Sequence, residues 1–511
     1  MNSGPTMAGV DAGRAQDGAR MAADAMAVRD ATSSALINGG ARLPAAPTGG
    51  QGGGHIRAEC RHLLLLALPL IAGQLSTVGL NLIDVVLAGH LGAHVLAAVA
   101  IGSSVWAIGM TAINGVLMAL AASVAQLHGG GRRAESWSLY RQALWLAAGL
   151  GTVVAGTLWF VGPLLIQWMG VVPSIAHDAT VFVRTVCWGA FPFAIYCACR
   201  GLSEGLSVTR PTAVLSIGGM FLLGPIAYVL MYGRLGLPAL GAQGSAIALV
   251  TVLSLQAAIY ATILFRFPAY ADTGRASPAV AGAHRPRAEP LLGLLRIGVP
   301  MSVTLLMEAG LFIAISLSVG GLGETTAAAH QIALSVATTV FMVPLGLSMA
   351  ITVRVGNAAG RGDGAGVRRA GLTGIGMALA VQMVSASAML LLPHLIVGLY
   401  TRDVAVSAAA VGLLQLAGLF QLSDGIQVSS NGALRGLKDT RLPMFITVAA
   451  YWIVGMPLGW HLAFARHMGA AGLWIGLIAG LSAAAVALGS RFIVLCRRPV
   501  AASAPARHEA A

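Results

Sequence analysis

Charged side chains are scarce in this chain. Only 10% of its 511 residues are Asp, Glu, Lys or Arg, whereas 57% are hydrophobic, and the mean hydropathy is +0.80. A soluble globular domain carries about 25% charged residues, because polar groups must cover its surface. The composition therefore excludes a soluble enzyme of this length and indicates a protein that crosses a membrane many times.

Segments of alternating polarity, the pattern of a membrane β-barrel, are also missing. A barrel strand alternates polar and apolar residues over about 10 positions. This chain instead contains unbroken apolar runs such as LLLLALPLIAG and AAGLWIGLIAGLSAAAVALG. A membrane helix needs about 20 apolar residues. The runs between about 62 and 496 predict an all-α integral membrane protein with twelve transmembrane helices.

Lysine is nearly absent. Lys438 is the only one, so the formal charge of +13 comes almost entirely from arginine. The arginines are scattered between apolar runs rather than clustered with aromatic residues, which argues against nucleic-acid binding. They fit the positive-inside rule better. With the N-terminus in the cytoplasm, 27 of the 31 basic residues lie inside, and the remainder are Arg184, Arg234, Arg402 and Arg466. Both termini are therefore predicted to be cytoplasmic.

Motifs for metal centres, disulfides and catalysis are absent. The five cysteines form no C-x-x-C pair, and the chain has no H-E-x-x-H motif and no P-loop. GLSEG at 201–205 resembles a hydrolase nucleophile elbow, but that motif follows a strand, and here it follows an apolar helix. Its Gly-x-x-x-Gly spacing is more typical of helix packing. We predict no enzymatic activity and no cofactor.

The two halves of the chain repeat each other at a constant offset of 231 residues. The offset pairs Pro69 with Pro300, and GLSEGLSVTR (201–210) with GALRGLKDTR (432–441). Each half has six predicted spans, so the halves share one orientation and are related by an axis along the membrane normal. Transporters of this design hold their sites near the bilayer midplane, between two lobes.

The repeat predicts two pseudo-symmetric six-helix lobes. The N-lobe is predicted over 59–266 (helices 1–6) and the C-lobe over 290–497 (helices 7–12). The segment 267–289 is the longest polar interruption and is predicted to be a cytoplasmic linker. Residues 1–58 lack an apolar run and are predicted to be a disordered cytoplasmic tail. Residues 498–511 are predicted to be a second cytoplasmic tail.

Three acidic residues, Asp84, Glu308 and Asp424, lie within the apolar spans. A charge at bilayer depth costs at least about 2.5–3.5 kcal/mol, so such residues usually mark ion or substrate paths. A buried carboxylate could bind and release H+, or it could ligate Na+, in which case Glu308 and Asp424 are the predicted metal ligands. Asp84 lies near the end of its span and could also simply reach water.

Aromatic residues accompany the two acids of the second half. Phe312 follows Glu308 by one helical turn, Phe420 precedes Asp424 by one turn, and Tyr451 and Trp452 lie in span eleven. Aromatic faces attract organic cations, so these four residues are candidate substrate contacts. The alternative is that they pack in the core or face lipid.

Pro69 and Pro300 lie at equivalent positions inside spans one and seven. A proline removes one helical hydrogen bond and favours a kink. Each kink is either static or a bending point during transport.

Four segments of the chain are distinctive: LIDVVLAGHLG (82–92), AAHQIALSV (328–336), PLGLSMAITVRVGNAAGRGD (344–363) and LSDGIQVSSNGALRGLKDTR (422–441). In these segments the chain resembles the multidrug and toxic-compound extrusion (MATE) family, in its NorM-like branch. The resemblance covers about 60 to 495. It implies a bacterial inner-membrane antiporter that exports cationic drugs in exchange for H+ or Na+ and confers antibiotic resistance.

The resemblance also implies roles for individual residues. Glu308 and Asp424 match the family's C-lobe acids of cation coupling, Asp84 matches its N-lobe acid, and Pro69 matches the proline of helix bending. The chain departs from many relatives where Leu223 and Ala227 flank the proline of span five, since asparagines are common there. It also departs at Phe420, where some relatives carry a tyrosine.

We therefore predict a monomeric multidrug antiporter that works by alternating access. One alternative is a lipid-linked oligosaccharide flippase of the same superfamily. It would need a cationic cavity for a pyrophosphate, whereas this sequence offers buried acids and no comparable arginines within the membrane. A remoter alternative is an intramembrane enzyme, for which His330 and Ser335 are close in sequence but lack a third partner.

Overall fold

Twelve helices long and apolar enough to cross a membrane follow one another in the computed structural model, which describes residues 52–168, 170–275 and 285–497, with side chains from residue 56. No strand occurs within these ranges. The first six helices are α1 (Gly52–Leu91), α2 (Ala93–Gly129), α3 (Arg133–Trp168), α4 (Pro173–Gly205), α5 (Arg210–Tyr232) and α6 (Gly241–Arg266). The second six are α7 (Ala288–Gly320), α8 (Glu324–Gly360), α9 (Gly364–Leu391), α10 (Val404–Gly436), α11 (Arg441–Ala465) and α12 (Gly469–Cys496). The predicted all-α fold with twelve transmembrane helices is confirmed.

The predicted tails and the middle of the predicted linker fall outside the described residues. Of the predicted tail 1–58, residues 1–51 lie outside, and the predicted tail 498–511 lies wholly outside. Of the predicted linker 267–289, residues 276–284 lie outside.

The sequence repeat extends to the backbone of the turns. The α1–α2 turn passes through Gly92 at φ +123°, and the α7–α8 turn passes through Gly323, 231 residues later, at φ +108°. Ser207 after α4 and Lys438 after α10 both have left-handed backbones, at φ 65° and 60°, a conformation that few non-glycine residues adopt. Equivalent turns in the two halves are therefore built in the same way.

Each half forms a lobe with its own buried core. In the N-lobe α2 and α3 pack against α4, and α5 packs against α1 and α6. In the C-lobe α10 packs against α8, α9 and α12. Small residues allow this close contact: a Cβ added at Gly205 would lie 2.6 Å from the Cβ of Val124 in α2, and one at Gly436 would lie 2.7 Å from the carbonyl oxygen of Thr352 in α8. The Gly-x-x-x-Gly spacing thus acts in helix packing.

The first helix of each lobe also packs into the other lobe. Leu63 near the start of α1 is fully buried, and with its α1 neighbours Leu66, Ala67 and Leu70 it belongs to a cluster whose other buried members are C-lobe side chains. Its repeat mate Leu294, near the start of α7, is buried in the cluster of the N-lobe. The starts of α1 and α7 therefore hold the lobes together symmetrically.

Glycines line this contact between the lobes in repeat-related pairs. A Cβ added at Gly115 in α2 would lie 2.4 Å from the Cα of Ser302 in α7. A Cβ added at its mate Gly346 in α8 would lie 2.8 Å from the Cα of Ile71 in α1. Ile71 and Ser302 are themselves 231 residues apart. The interface is thus self-complementary about the pseudo-twofold axis, as the interface of a symmetric dimer is.

A second repeat-related pair of glycines lies where the ends of α2 and α8 meet. A Cβ added at Gly129 would lie 2.0 Å from the carbonyl oxygen of Asn357, and one at Gly360 would lie 2.1 Å from that of Gln126. The amide of Gln126 donates to the carbonyl oxygen of Gly436 at 2.8 Å, and its mate Asn357 donates to the hydroxyl of Ser207, two residues after the end of α4, at 3.2 Å.

One ion pair between the lobes has no symmetry mate. Arg354 of α8 binds both carboxylate oxygens of Glu59 in α1, at 2.8 and 2.7 Å. We call the end of the molecule that carries this pair the joined end. Helix α8 is buried almost continuously from Pro344 to Gly360, but it is buried only intermittently before Pro344. The lobes are therefore in close contact at the joined end.

Candidate cation and substrate site

The two acids predicted in the second half come together in the C-lobe. Asp424 of α10 is only 2% exposed, and its Oδ2 has no hydrogen-bond partner among the described residues. Glu308 of α7 is partly buried, and the ring of Phe312, one turn after it, packs on the ring of Phe420, one turn before Asp424. Among the ion pairs of the described residues, none includes either acid. A buried carboxylate without a cationic neighbour is costly unless a cation or a proton is supplied from outside.

Tyr451 joins this pair from α11. Its ring is fully buried, its hydroxyl has no partner among the described side chains, and both acids act on it electrostatically. It lies in a π-helical turn, Ala450–Gly455, and such turns widen a helix locally and are frequent at functional sites. The next residue, Trp452, donates from Nε1 to the carbonyl oxygen of Met307, which precedes Glu308, at 3.2 Å.

The predicted aromatic residues form one cluster beside the acids. Phe312 and Phe420 pack edge to face with ring centroids 6.0 Å apart, and Phe420 packs in the same way on Trp474 of α12 at 5.9 Å. Trp474 donates from Nε1 to Nδ1 of His330 at 3.2 Å. An indole nitrogen can only donate, so Nδ1 of His330 must accept. Trp474 was not among the aromatic residues predicted to contact the substrate.

The oxygen atoms of the C-lobe site suit a small cation. Two carboxylates and one phenol are hard oxygen donors, the kind that alkali and alkaline-earth ions prefer. No group of three or more His, Cys, Asp and Glu side chains that could hold a metal ion occurs among the described residues.

Asp84 lies apart from these acids, in the N-lobe. It is partly buried in α1 and accepts a hydrogen bond from the hydroxyl of Ser245 in α6. Leu223 and Ala227, which flank the proline of α5, are buried and offer no oxygen ligand from their side chains. The structure thus gives Asp84 one hydroxyl partner and does not bring it to Glu308 and Asp424.

The two predicted bending prolines lie at the contact between the lobes. Pro69 and Pro300 sit inside continuous helices, and Ile71 and Ser302, the residues that meet the interlobe glycines, follow each of them by two positions. The hydroxyl of Thr304 donates to the carbonyl oxygen of Pro300 at 2.9 Å. A change in either kink would therefore move the interlobe contact directly.

Two arginines near helix ends lie between the lobes, in the interior of the protein. Arg435 of α10 is buried and Arg200 of α4 is largely buried, and both line one cavity between the lobes. Arg200 pairs with Glu204 at 3.5 Å and donates to the amide oxygen of Asn114 at 2.7 Å. The repeat could have indicated these cavity residues, because Glu204 and Arg435 occupy equivalent positions in GLSEG and GALRG. These side chains lie near helix ends, and charge counting along the sequence assigned the arginines to the cytoplasm.

Known proteins match the chain over most of its length. A model of the MatE family matches residues 69–230 and 300–461, two segments separated by the same 231 residues as the repeat. The chain is 47% identical to "Probable multidrug resistance protein NorM" of Xanthomonas campestris pv. campestris, over 88% of this chain and 97% of the relative. It is 39% identical to "Multidrug resistance protein PmpM" of Pseudomonas aeruginosa, over 87% and 93%.

Solved structures agree on the fold. The eukaryotic MATE transporter AtDTX14 superposes with a TM-score of 0.77 at 20% identity, over 87% of this chain and 100% of that one. A multidrug resistance MATE family transporter of the MOP superfamily, in an outward-facing conformation, gives 0.77 at 19% identity, over 88% and 99%. With the family model matched in both halves and close bacterial relatives aligned almost end to end, the chain belongs to the MatE family of multidrug and toxic-compound extrusion proteins, which are membrane transporters and not enzymes.

Proposed function

We propose that this protein exports organic cations across the bacterial inner membrane in exchange for inward H+ or Na+, by alternating access. The observation that carries the proposal is a pair of acids, the buried Asp424 and the partly buried Glu308, next to an aromatic cluster and without an ion-pair partner among the described residues. The relatives described as multidrug resistance proteins support the substrate class.

Mutual exclusion at these carboxylates would couple the two fluxes. A carboxylate that holds H+ or Na+ has lost its attraction for a cationic drug, and a carboxylate freed of the ion regains it. The rings of Phe312 and Phe420 would add cation–π and stacking contacts to a flat aromatic cation. Each unit charge that enters down the membrane potential supplies about 2.3 kcal/mol per 100 mV, which can drive export against a gradient.

The contact between the lobes supports the alternating-access part of the proposal. In the predicted orientation, with both termini in the cytoplasm, the starts of α1 and α7 lie inside, so the joined end is the cytoplasmic end. The interface there combines the apolar side chains at the starts of α1 and α7 with glycine contacts, a few hydrogen bonds and one ion pair. Such an interface can separate without unfolding either lobe.

The buried Arg435 favours the flippase alternative, but that alternative remains less well supported than the export of organic cations. Arg200 is already paired with Glu204, so among the described residues that line the interlobe cavity Arg435 is the base without an ion-pair partner. One guanidinium is a poor match for the charge of a pyrophosphate, whereas the C-lobe acids and rings match an organic cation.

Transport by purified protein in liposomes tests the proposal. Ethidium flux should be driven by an imposed pH gradient or by a Na+ gradient, and the comparison identifies the coupling ion. Glu308→Gln and Asp424→Asn should each abolish gradient-driven flux. Glu289→Gln and Asp403→Asn are matched controls on the same helices, α7 and α10, because both acids are exposed and lie at the helix starts. Undiminished flux in both test variants, with normal insertion, would overturn the site assignment.

A further inference from the structure

Arg435 is a buried base on the same helix face as the acid Asp424. The two residues are 11 positions apart in α10, close to three full turns, which places them on one face about 16 Å apart. Side chains in a helix lean toward its N-terminus, so the guanidinium of Arg435 leans toward Asp424. The residue is 5% exposed, so water contributes little to the stabilisation of its charge.

The hydrogen bonds of Arg435 do not neutralise it. One terminal nitrogen donates to the hydroxyl of Ser348 in α8 at 2.9 Å, and the other lies 3.8 Å from the sulfur of Met118 in α2 of the other lobe. Its Nε has no partner among the described residues, and none of their ion pairs includes Arg435. Met301 of α7 lines the cavity together with Arg435, and Glu308 follows Met301 by seven positions, which is two helical turns or about 10 Å along the same face. Glu308 is therefore the acid of the C-lobe site that faces the charge of Arg435. Its charge is therefore compensated at a distance, through the C-lobe site.

The repeat makes the asymmetry clear. The N-lobe equivalent of Arg435 is Glu204, and that acid is balanced in contact by Arg200 one turn earlier. The C-lobe equivalent of Arg200 is Asn431, which carries no charge. The N-lobe side of the cavity is therefore internally neutral, whereas the C-lobe side presents a positive charge to the coupling acids.

Other ionisable groups near Glu308 do not duplicate this charge. They are Asp424 of α10, Tyr451 of α11 and, within the adjoining aromatic cluster, His330 of α8, whose ring nitrogens lie within hydrogen-bond distance of Trp474 and Ser316. Across the cavity α4 contributes the mutually paired Arg200 and Glu204. Among these groups, Arg435 is the permanent cation that favours an ionised Glu308.

We propose that Arg435 is a resident cation of the C-lobe site, a positioning residue that stabilises the ionised form of Glu308 and so limits how tightly the site holds either a proton or a drug cation. The inference rests on the proposed function, because it assigns Arg435 to the regulation of the same carboxylates. Without Arg435 the acids would hold cations too tightly for rapid exchange. With it, the site can be emptied and refilled in each cycle.

Ethidium binding to the purified full-length protein, measured by fluorescence as a function of pH, tests the inference. In the wild type, binding should weaken as pH falls, because protons occupy Glu308. Arg435→Met should bind ethidium roughly tenfold more tightly at high pH, and the midpoint of its pH profile should move up by about one unit. Both changes are the effect of removing one charge at about 10 Å in a medium of dielectric constant about 20. Arg435→Lys keeps the charge and should keep the wild-type midpoint.

Matched variants separate the role of charge from that of packing. The double variant Arg200→Met, Glu204→Gln removes an arginine from the same cavity wall together with the acid that balances it, so its midpoint should stay unchanged. Ser348→Ala removes a hydrogen bond of Arg435 but not its charge, and should also leave the midpoint in place. If Arg435→Met does not insert, Arg435→Gln carries the same prediction.

The possible results distinguish the inference from the proposed function. A midpoint that is unchanged in Arg435→Met or Arg435→Gln, or that shifts equally in Arg435→Lys, would overturn the inference. Glu308→Gln should lose the pH dependence altogether. If it keeps the wild-type dependence, the proposed role of Glu308 fails first, whatever Arg435 does.

Discussion

Gly346 offers the sharpest test of the interface between the lobes. A Cβ at this position would lie 2.7 Å from the Cγ1 and 2.8 Å from the Cα and the nitrogen of Ile71. Two of these three atoms belong to the backbone of α1, so a rotamer change cannot relieve the clash. Overpacking of this kind costs about 1–3 kcal/mol. Since it arises only when the lobes are joined, Gly346→Val should shift the equilibrium toward separated lobes by about 5- to 150-fold.

Distances between spin labels measure this shift. Labels on the exposed residues Ala134 and Arg361, one on each lobe at the joined end, should report a longer distance in Gly346→Val than in the parent protein. Gly376→Val on α9 is the matched control, because an added Cβ there meets nothing within 4 Å. An unchanged distance distribution in Gly346→Val, in a protein that still inserts and folds, would refute the conclusion that the glycine contact closes this end.

Three further perturbations test other parts of the structure. Glu59→Gln leaves Arg354 without its carboxylate between the lobes, so thermal denaturation should begin at a lower temperature and the joined end should open more readily in the same label experiment. Phe420→Ala removes a ring that contacts Phe312 and should weaken ethidium binding about 3- to 30-fold, whereas an aliphatic cation, which gains less from stacking, should be affected less. Burial raises the pKa of Tyr270, outside the membrane-spanning helices, from 10 to about 12. Stability that is present below pH 10 should therefore fall by about 2–3 kcal/mol between pH 10 and 12, more steeply than in Tyr270→Phe, as followed by melting temperature.

The helices and the repeat could be predicted because both leave a direct trace in the sequence. A membrane helix must satisfy its own backbone hydrogen bonds over about 20 apolar residues, so composition alone reveals it. The repeat shows in Pro69 and Pro300, and the same offset reappears in the glycine contacts of Gly115 and Gly346. The acids Glu308 and Asp424 stood out because long apolar stretches flank them.

The buried arginines could not be predicted because their depth depends on tertiary packing. Arg200 and Arg435 lie near the ends of their helices, where a sequence profile cannot tell a buried guanidinium from one in water. Removing them from the count of basic residues still leaves the bias toward the predicted cytoplasmic side. For the same reason Trp474 could not be predicted as part of the aromatic cluster, because only the packing of α12 on α10 brings its ring to Phe420.

In the proposed mechanism, one cationic drug and one small cation compete for the same carboxylates. Calorimetric titration of the purified protein with ethidium, repeated in buffers of different ionisation enthalpy and with and without Na+, measures how many ions leave as the drug binds. We expect the wild type to release H+ or Na+ for each ethidium bound, and the Glu308→Gln, Asp424→Asn double variant to release none. Tight ethidium binding by the wild type with no release of either ion would contradict the exchange mechanism.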